Sequence, residues 1–309
     1  MNKNIDMWAL IEKNKRNTFV LIVIFIVFMA VLGYVFGYVY GNGYYGLAIG
    51  FSVALVTGIA VYYGGDSVVL GISGAKKIEK KDNPQLFNVV EEMSVASGLP
   101  MPEIYIIDDT APNAFATGRN PAHAKIAVTL GLLQKLNRDE LQGVVAHEMS
   151  HVKNYDILYA TLVGVLVGSV ALLCDFFLRY TFFSGGRRSR KDSKGGGAQA
   201  ILMIIAIALA ILAPLFAKLL QLAVSRQREY LADATGVQLT RNPLALAGAL
   251  EKISGDMEVL EAANRATQHL YIVNPVKSFE ARSKSASLFS THPSIQDRIS
   301  ILKALAHQQ

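Results

Sequence analysis

His147-Glu148-Met149-Ser150-His151 is the stretch on which the reading of this chain turns. On a helix, residues four apart lie on one face about one turn apart, so His147 and His151 can aim ring nitrogens at one ion. Two imidazoles at that spacing are the basic zinc-binding unit, and Glu148 beside them can act as the base that activates an attacking water. The competing reading is a packing or surface helix that carries these letters by chance. The upstream flank bears on that choice. Asn137 followed by Glu140 has the pattern of a capped helix start, and Leu141, Val144 and Val145 give the following helix an apolar face.

Downstream, residues 157–174 and 195–217 carry no charge. Between them lie Asp175, Arg179 and a basic Gly/Ser-rich loop with Arg187, Arg188, Arg190, Lys191 and Lys194. Two full crossings would place that loop outside, against the positive-inside rule, and a hairpin that enters without spanning fits as well. Parity constrains both versions: a site built from residues on either side of this pair requires that both runs cross or neither does. Immediately after it, in Ser225-Arg226-Gln227-Arg228-Glu229-Tyr230-Leu231-Ala232-Asp233, two carboxylates are again four apart. A catalytic zinc takes three protein ligands and leaves one position for water, which makes Glu229 the third ligand after His147 and His151. Asp233, one turn on, could accept the remaining N–H of a ligating histidine and fix its tautomer. Alone, these two would more often be a solvated helical face balanced by Arg226 and Arg228.

Upstream, residues 18–65 contain no Asp, Glu, Lys or Arg, enough for two bilayer crossings split by Gly41-Asn42-Gly43. The run is too long for the core of a cleaved signal peptide, so an uncleaved hairpin is expected. Lys3, Lys13, Lys15 and Arg16 precede it and Lys76, Lys77, Lys80 and Lys81 follow it, which puts both ends in the cytoplasm. Gly33, Gly37 and Gly41, and Gly46 and Gly50, recur every fourth residue, either as a close-packing seam or because glycine is common in membrane helices. Composition agrees: at 52% hydrophobic and 17% charged residues the chain of 309 is too apolar for an ordinary soluble enzyme. Its net charge of +6 sits beside apolar runs rather than in an aromatic-interleaved stripe, which argues against nucleic acid. Cys174 is the only cysteine, so neither a disulfide framework nor a cysteine zinc site is available.

Between the hairpin and the histidines, residues 84–97 read as an amphipathic helix with Leu86, Val89, Val90 and Met93 inward. Residues 104–107 and 125–129 have strand composition. The small-residue stretch 112–118 between them reads equally as a sheet edge that adds an extended peptide or as an ordinary hairpin. Asn242-Pro243 starts another helix, residues 255–290 are polar and irregular, and His123, His269 and His307 have no spaced partner and read as surface residues.

With HEMSH, SRQREYLAD and a late Thr291-His292-Pro293 followed by Arg298 in hand, the chain resembles the M48 metallopeptidases over nearly its whole length. Within them it is closer to the bacterial heat-shock protease branch than to the prenyl-protein (CAAX) peptidases, which have more membrane helices. The resemblance implies one zinc ion per chain on His147, His151 and Glu229, with Glu148 as catalytic base. It implies that Asp233 orients a ligand, that His292 and Arg298 lie near the metal, and that Asn113, Ala114, Phe115 and Ala116 lie along the bound peptide.

The expected fold is a mainly α membrane protein with a small β-sheet: a zincin-like core plus two apolar helical hairpins. Its parts are the first hairpin (1–65), the catalytic domain in two pieces (66–156 and 221–309), and the second hairpin (157–220). The expected function is that of a zinc metalloendopeptidase in a bacterial inner membrane, multi-pass, with its catalytic domain cytoplasmic. It would hydrolyse unfolded or misfolded membrane and membrane-associated proteins in quality control and stress response. No phosphate-binding GxxxxGK[ST] loop is present, so ATP is not expected to drive it; a homo-oligomer is left open. The rivals are a membrane scaffold with a structural zinc closed by a fourth protein ligand, and a zinc transporter, whose ligands would sit inside the apolar runs.

Overall fold

The computed structural model describes residues 7–39, 42–166, 226–256, 258–262, 267–273 and 293–307, with scattered helical positions between 197 and 212. The second apolar pair falls mostly outside this set, as does the basic loop. Of it, the structure describes one helix, Asp156–Leu166.

The two longest helices among the described residues are α1 (Met7–Val39) and α2 (Gly43–Ile72), joined by a turn whose Asn42 caps α2 by accepting from the Tyr44 and Tyr45 backbone N–H groups. Their contact is a glycine seam. A Cβ on Gly37 would fall 2.6 Å from the Gly46 Cα, and one on Gly33 would fall 2.9 Å from the Gly50 Cα and onto the Gly46 carbonyl oxygen. Four glycines thus let two backbones touch, the close-packing alternative for their spacing. Elsewhere these helices present bare apolar surface, including Phe19, Val27, Val31, Ile49 and Val56. An apolar band of that extent is a liability in water and ordinary in lipid. Both helices are long and apolar enough to cross a membrane.

Gly64-Gly65-Asp66 does not end α2, which continues to Ile72. The reason lies in contacts with residues farther along the chain: Asp66 pairs with Lys125 at 2.9 Å, both side chains largely buried, and Arg119 stacks over Tyr63. The last turns of α2 are therefore docked rather than free.

A four-stranded mixed sheet follows, β1 (Lys76–Lys77), β2 (Glu103–Ile107), β3 (Ala114–Gly118) and β4 (Ala124–Thr129), in the order β1-β2-β4-β3. β2 runs parallel to β4, and β3 pairs antiparallel to β4 on its far side, leaving β3 at an edge. Helix α3 (Pro84–Ser97) starts at Asn83, which accepts from Leu86 N–H, and stops at Gly98 in the left-handed conformation. Its Leu86, Val89, Val90 and Met93 are buried in the main core, as their spacing predicts.

After the short α4 (Leu130–Lys135), α5 (Arg138–Lys153) carries the histidine motif. Asn137 accepts from Glu140 N–H at 2.9 Å while the Glu140 carboxylate accepts from Asn137 N–H at 2.8 Å, a complete capping box. α5 is the centre of the domain, packed on α3, α7 (Arg226–Thr240) and α8 (Pro243–Gly255); α6 is the Asp156–Leu166 helix, and α9 (Ile295–Ala306) closes over α7 and α8. The chain is mostly helical with one small mixed sheet and a membrane-capable hairpin.

Candidate active site

Helix geometry puts His147 and His151 on one face of α5, and α7 brings a carboxylate to meet them. Gly236 makes that approach possible, because a Cβ there would lie 3.3 Å from the His147 backbone nitrogen. The two Nε2 atoms are 3.2 Å apart. Glu229 Oε2 lies 3.7 Å from His147 Nε2, and Glu229 Oε1 lies 3.6 Å from His151 Nε2.

The other ring nitrogens define what these atoms are. His147 Nδ1 is 2.9 Å from Asp233 Oδ1, and His151 Nδ1 is 3.1 Å from Asp156 Oδ2. A carboxylate only accepts, so each Nδ1 carries a proton, and each ring, when neutral, turns an Nε2 lone pair inward. Three acceptors then face one another across less than 4 Å, an arrangement that repels itself unless a cation lies between them. Tetrahedral zinc places its ligand atoms about 3.3 Å apart, given bonds of about 2.0–2.1 Å. The donor set therefore fits zinc in both chemistry and spacing. In its absence a proton can take the same part. Burial lowers the affinity of His151 for a proton, but the hydrogen bond to Asp156 and the charges of Glu229, Asp156 and Glu148 outweigh it and raise its pKa to about 9.

Glu148 is almost wholly buried beside this cluster, and the Ala116 backbone on β3 lies on the same cavity wall. Burial pushes its pKa up, and the two imidazoles only partly reverse that. A cavity of about 40 Å³ opens onto Glu148, His151 and Glu229, with Ala116, Arg228 and His269 also on its wall. That volume holds at least one water.

Arg298, from α9, lies within the protein core at 1% exposure. Its Nε and Nη2 clasp Asp233 at 2.8 and 2.7 Å, and its Nη1 reaches the Ile272 carbonyl and Glu229 Oε2, each at 3.1 Å. Burial would favour the neutral Asp233, yet Arg298 and His147 hold it below the usual carboxylate range. The structure thus brings together Glu148, His147, His151, Glu229, Asp233 and Arg298. His292 lies outside the described residues.

Of the expected peptide-lining stretch, only part faces the site. Ala116 shares the cavity wall with Glu148, whereas the Asn113 side chain donates to the Val273 carbonyl at 2.9 Å and Phe115 packs edge-on against Tyr271. The Ala114 carbonyl already accepts from Ile272 N–H at 3.0 Å. Two residues near the centre escaped the sequence reading. His269 is no surface histidine: it is 5% exposed, hydrogen-bonded to the Ala160 carbonyl at 3.0 Å, and on the cavity wall. Asp156, which holds His151, is five residues from it, a spacing with no helical signature.

Comparison with known proteins follows the same lines. The profile of Peptidase family M48 matches residues 80–306. The "Protease HtpX homolog" of Tropheryma whipplei (strain Twist) is 45% identical, over 98% of this chain and 99% of its own length. That of Dictyoglomus thermophilum is 41% identical, over 99% and 97%. Among solved structures, S. mikatae Ste24p superposes with a TM-score of 0.51 at 17% identity, covering 97% of this chain and 67% of that one, a likeness of fold. A profile match that takes in the histidine helix and everything packed on it, together with relatives alike from end to end, places this chain in peptidase family M48.

Proposed function

We propose that this membrane metallopeptidase is a zinc endopeptidase with a zincin-like core, acting on unfolded or locally disordered segments of membrane and membrane-associated proteins at the cytoplasmic face. The observation that carries the chemistry is the convergence of two inward Nε2 atoms and the Glu229 carboxylate, with Glu148 alongside. The orientation is supported by the lysines and arginine before α1 and the lysines after α2. Quality control is supported by the same placement, since a site beside a membrane hairpin meets the exposed loops of damaged membrane proteins first.

His147, His151 and Glu229 would hold the metal, and zinc when bound supplies Lewis-acid polarisation of the scissile carbonyl and of water. Glu148 takes a proton from the attacking water and delivers it to the leaving amide nitrogen. Its burial suits both halves of that task, because a carboxylate in a poorly solvated place takes up a proton more readily than one in water. Asp233 and Asp156 hold the imidazoles in the tautomer that ligation needs, and Arg298 fixes Asp233 and Glu229. Ala116 on the edge strand β3 places a backbone group beside Glu148, where an extended peptide would pass.

Glu148→Gln separates this reading from a scaffold with a structural metal. The variant should keep stoichiometric zinc and lose casein cleavage in detergent by at least about a thousandfold, as removal of a general base with few substitutes does. Cleavage at the wild-type rate would remove Glu148 from the mechanism. A wild-type protein whose metal is closed by a fourth protein ligand would favour the scaffold.

A further inference from the structure

α5 ends at Lys153, and the chain then reverses through Asn154 and Tyr155, the latter at φ 60°, a left-handed conformation uncommon for a residue with a Cβ. That reversal swings Asp156 back beneath His151. One carboxylate oxygen, Oδ2, faces His151 Nδ1 at 3.1 Å. The other, Oδ1, accepts from the side chain of Asn14 at 2.6 Å. Asn14 belongs to α1, and its second amide hydrogen goes to the Asn154 carbonyl at 3.0 Å. Both partners are acceptors, so the amide nitrogen rather than its oxygen must face them. Next to it, the Lys15 ammonium sits 4.7 Å over the Tyr155 ring. The first membrane helix therefore grips the turn behind the histidine helix at three consecutive residues.

From this we propose that Asn14 is a positioning residue of the metal site: the first membrane helix sets the orientation of His151 through Asp156. The inference rests on the reading of His147, His151 and Glu229 as metal ligands. A carboxylate held by one oxygen can rotate, and Asp156 has a competing cation in Arg228, whose Nε is 3.6 Å from Oδ1. The Asn14 bond occupies Oδ1 and keeps Oδ2 directed at the imidazole. Without it, Asp156 turns toward Arg228 and the His151 ring loses its fixed plane. Asn14 is 3% exposed, so in the wild type bulk water does not compete with it for Asp156. Metal coordination and insertion of α1 become one event, and a chain whose first helix is undocked holds its metal poorly.

The test uses the purified full chain in detergent, stripped of metal and titrated with cobalt(II), whose visible absorption reports coordination geometry. The wild type is compared with Asn14→Ala and with Leu21→Ala, a buried position on the same helix that belongs to the helix-packing cluster. Asn14→Ala should weaken cobalt binding by about 10-fold, the low end of what loss of support behind a ligating imidazole costs, and should alter the absorption band. Leu21→Ala should leave affinity and band unchanged even where it lowers thermal stability. If Asn14→Ala does not fold, Asn14→Ser, too short to span to Asp156, should give the same pair of changes. Wild-type affinity and spectrum in the folded Asn14 variant would overturn the proposal, as would equal losses in Leu21→Ala. A wild-type protein that binds no cobalt would overturn the metal reading, and this one with it.

Discussion

At the scale of single residues, a proton and a metal compete for His151. The ordinary histidine pKa of 6.5 rises to about 9 in the folded, metal-free protein. The proton-linked stability this confers is fully present below pH 6.5 and is lost as pH rises through about 9. Ligation needs the bare Nε2, so between pH 7 and 8 each metal bound should expel about one proton, and release should vanish above the raised pKa. Apparent metal affinity should therefore climb with pH up to about 9, by as much as tenfold per unit. Titration calorimetry in two buffers of different ionisation enthalpy measures the released proton directly. Binding heats independent of buffer at pH 7.5 would mean that His151 is already neutral. Asp233 works in the opposite sense: its depressed pKa contributes stability above its unfolded value, which is lost as pH falls through the folded one.

At the scale of elements, the glycine seam is the part of the membrane hairpin most sensitive to substitution. Gly37→Leu must push its side chain into the Gly46 backbone, which cannot yield, so α1 and α2 have to separate. Overpacking of this kind costs typically about 1–3 kcal/mol. A lower unfolding temperature for Gly37→Leu, with Gly71→Leu close to wild type because no described residue lies near its Cβ direction, would locate the effect in the seam. Equal losses at both positions would place the effect outside the seam, since leucine favours the helix over glycine. The seam shows where sequence reading stops: a four-residue glycine spacing is visible in one helix, but its meaning depends on which helix faces it. Two capped helix starts were legible because their signals are local, at Asn137 and Asn242. His147, His151, Glu229 and Asp233 were legible because one helical turn separates the members of each pair. Asp156 was hidden because only the left-handed turn at Tyr155 returns it to His151. His269 was hidden because its short turn gains meaning only by packing on α6 and the cavity.

At the scale of the whole molecule, the site is also a clasp between helices distant in sequence. His147 and His151 come from α5 and Glu229 and Asp233 from α7, which the intervening apolar pair separates in sequence. Arg298 reaches them from α9. A metal bound across α5 and α7 stabilises the folded state by its binding free energy, about 4 kcal/mol at a free concentration a thousand times its dissociation constant. Chelation should therefore lower the unfolding temperature by on the order of 10 °C in a chain of this size. It should not abolish folding, because the Arg298 guanidinium still neutralises Asp233 and Glu229 after the metal leaves. Arg298→Met removes that second cation and strands two buried carboxylates, which costs about 3–5 kcal/mol. The two losses should compound: metal-loaded Arg298→Met should remain folded, whereas the chelated variant should unfold well below the chelated wild type. Thermal unfolding of the four states, with and without metal, measures this, and simple additivity would show that guanidinium and metal act on the clasp independently.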